Sequence, residues 1–128
     1  MVKLKLNYGL PFCHVMLTYK GKSLVLDNVL VDTGSGGSIF KMDKVDELGI
    51  TIEKDDIIET ISGIGGSEFV YKKDVDKLQL GESEVTDFTI EVGVMDYGLA
   101  INGILGMDFL IETGAIIDLA RMEITVAS

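Results

Sequence analysis

The residues best placed to do chemistry in this sequence are Asp32, Thr33 and Gly34, with Ser35 after them. They follow Val29-Leu30-Val31, an apolar run that reads as a buried strand, and three of the five positions after Asp32 are glycine. A strand that ends in such small residues carries one carboxylate into a cleft, where it can serve as an acid or base toward a bound molecule, or simply close a turn. A strand, a Gly-rich loop and a helix in that order could also hold a phosphate on backbone N–H groups. The loop lacks the Gly-Lys-Ser/Thr of a P-loop and the spacing of a dinucleotide fold, and Asp32 would repel an anion. Cys13-His14 has the residue types of a nucleophile or metal ligand, but neighbours on a strand point to opposite faces, so the pair reads as ordinary strand.

The elements that must position this loop read mostly as β. Val2 to Asn7 alternates like a strand, Pro11 breaks the chain, and Phe12 to Tyr19 is a second run. After a turn at Lys20-Gly21-Lys22, Ser23 to Val31 returns as one interrupted strand or two short ones, bent at Asp27-Asn28, and ends at Asp32. Lys41 to Leu48 spaces Met42, Val45 and Leu48 as a short helix that Gly49 stops. Ile57 to Tyr71 reads as a hairpin whose thin tip is Gly63, Ile64, Gly65 and Gly66. It is either a plain surface hairpin or a flap that closes over a ligand. Strands continue at Leu78–Leu80 and from Val85 to Val94, where alternation from Phe88 onward leaves one face solvated. Tyr97 to Asn102 is a loop. Gly103 to Gly106 leads into a short helix, Met107 to Thr113, near whose start Asp108 is a helix-terminal charge. Two strand-like runs, Ala115 to Leu119 and Met122 to Val126, finish the chain.

The predicted class is therefore all-β with a closed or barrel-like sheet and one or two short helices, in a single domain spanning residues 1–128. Hydrophobic residues make up 47% of the chain, which excludes disorder, and no apolar run approaches a membrane span. A formal charge of −10 argues against nucleic acid and anionic membrane as partners. One cysteine and an N-terminus without a signal-peptide core predict a cytoplasmic protein.

Three separated segments, in order and at fitting distances over Phe12 to Val126, resemble one family. Leu30-Val31-Asp32-Thr33-Gly34-Ser35 is similar to the catalytic loop of the retropepsins, the single-domain aspartic proteases of retroviruses and their cellular relatives. Ile61-Ser62-Gly63-Ile64-Gly65-Gly66 is similar to the retroviral flap tip. Ile104-Leu105-Gly106-Met107-Asp108 resembles the apolar-apolar-Gly element before the C-terminal helix, in its Leu-Gly-x-Asp form.

The resemblance implies a retropepsin-like acid-protease barrel and an aspartic endopeptidase active as a homodimer, with no cofactor and no metal. Asp32 and its symmetry mate would activate a water, since acid/base work on a peptide needs one charged and one protonated carboxylate. Thr33 would hydrogen-bond across the dimer, and the Gly34 N–H would orient the carboxylate. Gly63, Ile64, Gly65 and Gly66 would form a flap over an extended peptide, while Ile104, Leu105 and Gly106 would pack beneath the loop. Met122 to Val126 would build the dimer sheet. Ser35 would donate to the Asp32 carboxylate and favour its charged form. Retroviral enzymes usually place Ala and acidic residues after Asp-Thr-Gly and an Arg after the later Gly. Ser35, Gly36, Gly37 and Met107 stand there instead, so that ion pair is absent. The alternative function is a catalytically silent module that binds a peptide or small ligand in the same cleft.

Overall fold

Alternating apolar and β-branched residues put most of the chain into strands in a computed structural model that describes residues 1–63 and 66–126. In order these are β1 (Val2–Lys3), β2 (Lys5–Asn7), β3 (Leu10–Tyr19), β4 (Lys22–Val31), β5 (Ile39–Lys41), α1 (Met42–Val45) with a 3-10 turn Asp46–Leu48, β6 (Ile58–Gly63), β7 (Gly66–Leu80), β8 (Ser83–Gly93), β9 (Gly103–Leu105), α2 (Met107–Glu112), β10 (Ile116–Asp118) and β11 (Glu123–Thr125). The fold is all-β with two short helices.

One sheet runs β2-β3-β4-β9-β5-β8-β7-β6, and a further pairing of β3 with β7 closes six of these strands into a ring. Val15, Leu17, Val29, Phe40, Ile90 and Leu105 are buried within it. Helix α2 turns Phe109 and Leu110 inward, and Phe109 meets Phe88 edge-on with ring centroids 6.0 Å apart. Burying such an aromatic contributes on the order of 1.5–3 kcal/mol. A second, three-stranded sheet has the order β1-β11-β10, antiparallel throughout. No helix among the described residues is long and apolar enough to cross a membrane.

Several local expectations need correction. Val2 to Asn7 is two strands in different sheets, divided at Leu4, whose N–H donates to Met122 O at 2.8 Å. Pro11 does not break the chain but lies inside β3 opposite Leu6. Its missing N–H is tolerated because β4 pairs with β3 only from Phe12 onward. Of the two readings of Ser23 to Val31, the single interrupted strand holds, bulged at the expected bend where Asn28 takes φ 51° and the register with Cys13–Val15 shifts. Ile39–Lys41 forms a strand that local patterning did not reveal. Lys72 to Lys77, rich in charge, continues β7 instead of ending it. There the buried Lys73 reaches Glu53 at 2.7 Å and Asp56 at 2.8 Å and ties the chain before the hairpin to β7. Burial opposes the charge on Lys73, but the hydrogen bonds to Asp56 and Glu53 outweigh it and raise the pKa. Cys13 is buried and His14 exposed, on opposite faces as the strand requires. Burial pushes the Cys13 thiol up to about 12, which leaves it a poor nucleophile at neutral pH.

Candidate active site

The topology places a loop over a strand end. β9 lies between β4 and β5, parallel to the first and antiparallel to the second. The chain leaving β4 at Val31 must therefore cross the end of β9 to reach Ile39, and residues 32–38 make that crossing. Asp32 N–H donates to Leu105 O at 3.0 Å, Met107 N–H to Ser35 O at 2.8 Å and Asp108 N–H to Gly36 O at 3.2 Å. Ser38, buried below the loop, donates its hydroxyl to Asp108 Oδ1 at 2.7 Å, and its Oγ accepts Gly106 N–H at 3.0 Å. Ser38 N–H also reaches Asp108 Oδ2 at 3.2 Å. Asp108 is thus more than a helix-terminal charge, because its carboxylate moors the loop to the first turn of α2. Gly106 lies directly under the loop, where a Cβ would stand 2.2 Å from Gly37 O. Leu105 is fully buried in the main core, and Ile104 is half-buried against a smaller cluster with Ile39 and Met95.

At the loop's head, the half-buried Asp32 accepts Gly34 N–H on Oδ1 at 2.8 Å. Ser35 does not reach this carboxylate. Its hydroxyl donates to Gly37 O at 2.7 Å, because the tight loop brings that carbonyl back over Ser35. Thr33 is exposed, and its side chain has no hydrogen bond among the described residues.

Asp32 opens onto a cleft of about 880 Å³. The loop from Gly34 to Gly37 forms one wall, and Ile61, Ser62, Ser67 and Glu68 of the β6–β7 hairpin form another. Gly63 pairs with Gly66 at the far end of that hairpin, while Ile64 and Gly65, expected at its tip, lie outside the described residues. Glu91, Val94, Asp96 and Tyr97 complete the lining. The Glu68 carboxylate accepts hydrogen bonds from the Tyr97 hydroxyl and from Met95 N–H, the latter at 3.4 Å. Burial and this carboxylate hold the Tyr97 hydroxyl above its ordinary pKa. Burial also raises the Glu91 carboxyl, opposed by Lys72 and aided by the charges of Glu59, Asp108 and Glu68.

Sequence reasoning missed Glu68, Glu91, Asp96 and Tyr97. Glu91 occupies the polar phase of an alternating strand, and that phase reads as solvated until the fold places the Asp32 loop beside it. The only signal was a carboxylate between Ile90 and Val92, two buried residues.

The sequence pattern of a family described as aspartyl protease matches residues 15–109, well over half of the chain. No curated protein matches. Among solved structures, the crystal structure of a retropepsin-like aspartic protease from Rickettsia conorii superposes with a TM-score of 0.70 at 18% identity, covering 98% of this chain and 97% of that one. At that identity the likeness speaks to the fold.

Proposed function

Because this chain belongs to the aspartyl protease family, in its retropepsin-like form, we propose that it is an endopeptidase that works as a homodimer on extended polypeptides. The observation that carries the reading is Asp32, a single carboxylate held by the Gly34 N–H at one wall of a cleft of about 880 Å³. A twofold dimer supplies the second carboxylate. Two carboxylates crowded together cannot both ionise cheaply, so the pair keeps one proton. The charged member takes a proton from a water whose oxygen adds to the peptide carbonyl carbon, and the protonated member gives its proton to the carbonyl oxygen. Collapse of this noncovalent intermediate breaks the C–N bond as a proton passes to the leaving nitrogen. The free Thr33 hydroxyl is suited to a bond across the dimer, and the β6–β7 hairpin to closing the cleft as a flap. A cytoplasmic location belongs to the same reading, supported by the lone, buried Cys13.

The test is cleavage of an unfolded protein from acid to neutral pH, with Asp32→Asn as control. The expected result is cleavage by the wild type that falls by about 10³-fold or more in the variant. Wild-type protein that binds extended peptides but cleaves none at any pH overturns the enzyme in favour of a silent binding module.

A further inference from the structure

The acidic side chains lining the cleft differ in how they are satisfied. Glu68 is engaged by Tyr97 and Met95, and Asp96 is exposed to solvent. Glu91 is neither. It is half-buried, and its carboxylate has no hydrogen bond and no ion pair within 4.0 Å among the described residues. Lys72 is its cross-strand neighbour, but that ammonium is 3.3 Å from Glu59. The Glu91 carboxylate instead lies against the loop that carries Asp32, with Oε1 2.2 Å from where a Gly37 Cβ would stand. No Lys, Arg or His is among the described residues that line the cleft.

A carboxylate removed from part of its water and left without a donor is costly, and a cation brought to it by a ligand restores what burial took away. We propose that Glu91 sets the specificity of this cleft by receiving a lysine or arginine side chain of the peptide, next to the scissile bond. This rests on the protease reading for its substrate, and on Glu91 alone for its preference. In a twofold dimer Glu91 occurs on both sides of the cleft, so a basic residue is favoured on either side of the cut. Burial raises the Glu91 carboxyl, with Lys72 opposing, as expected of a carboxylate removed from part of its water.

The experiment has two arms. In the first, the products of an unfolded protein mixture are sequenced by mass spectrometry. Wild type should enrich Lys and Arg near the cut, Glu91→Gln should lose that enrichment, and Glu91→Lys should shift it toward Asp and Glu. Cleavage with no basic enrichment overturns this inference and leaves the protease intact. The second arm needs no catalysis. Asp32→Asn protein is titrated with a fluorescein-labelled decapeptide that has a central Leu-Phe flanked by Lys, and with its norleucine twin. The Lys peptide should bind about tenfold tighter, a ratio that Glu91→Gln in the same background brings near one. Equal affinity for both peptides, or binding of neither, overturns the proposal even where no cleavage is found.

Discussion

Gly106 has backbone where a side chain would go: its missing Cβ would meet Gly37 O at 2.2 Å and Ser35 O at 2.9 Å. Backbone oxygens held by Met107 N–H and the Ser35 hydroxyl cannot step aside as a flexible side chain could. Gly106→Ala is expected to destabilise the protein by about 1–3 kcal/mol, as overpacking does, read as a lower midpoint in urea. An unchanged midpoint would mean that the loop does not rest on this residue. The Ser35 hydroxyl, spent on Gly37 O, supports the loop's shape and does not contact the charge of Asp32. Glu91 carries a pH signature of its own. Its carboxyl is raised by burial, with Lys72 opposing and Glu59, Asp108 and Glu68 adding to the shift. The folded chain therefore holds that proton more tightly than the unfolded one, and stability is lost as pH rises from the unfolded value through the folded one. Glu91→Gln cannot acquire the charge. Its melting temperature should exceed that of wild type at neutral pH, with the gap closing below about pH 4, where both states of the wild type are protonated. A gap that ignores pH would remove desolvation of Glu91 from the account.

The β6–β7 hairpin projects with Ile58 and Phe69 exposed, and an isolated two-stranded hairpin is marginal in water. Its outer part is tied back to the body by Ile61, packed against the cluster of Ile39 and Met95, and by Glu68, held by Tyr97 and Met95 N–H. Tyr97→Phe is expected to speed amide exchange severalfold at Ser67–Val70 while the global unfolding midpoint stays within error, because the change removes one hydroxyl outside the core and keeps the ring. Unaltered exchange would show that the contact holds nothing. Elements such as this hairpin were legible because alternation and glycine write them locally, as they do for Phe12–Tyr19 and the Lys20-Gly21 turn. β5 was not legible, since three residues are too few to alternate, and Lys72–Lys77 was hidden by its charges although Val75 and Lys73 are buried. The insertion of β9 between β4 and β5 is a pairing across more than seventy positions that no local pattern encodes. That insertion creates the Asp32 loop's geometry, so the site's residues could be named from sequence while their hydrogen bonds could not. Ser35 and Glu91 mark the two sides of this limit.

At the scale of the whole molecule, one copy holds one Asp32 loop, and the chemistry proposed for it takes two. The strand expected to join the copies, within Met122 to Val126, is β11, and both its edges are taken by β1 and β10 of the same chain. Removing Glu123–Thr125 would strip both neighbours and the buried Ile124 from the fold, so loss of a dimer after such a cut would report unfolding. Exchange of whole subunits is the cleaner test. Asp32→Asn changes one side chain at the head of a loop whose backbone bonds remain, so the variant should fold and pair as wild type does. Mixed in equal amounts and left to exchange, half of the wild-type chains find an inactive partner. A dimer that needs two carboxylates then keeps about half of its wild-type activity, and about a tenth at ninefold excess of the variant. Each copy carries a formal −10, so exchange is quickest at low salt, where like charge opposes association. Sedimentation at falling concentration should show the mass dropping toward 13.9 kDa over the range in which specific activity is lost. Activity that ignores both the admixed variant and dilution would mean that one Asp32 suffices, and the shared pair of carboxylates would have to be abandoned.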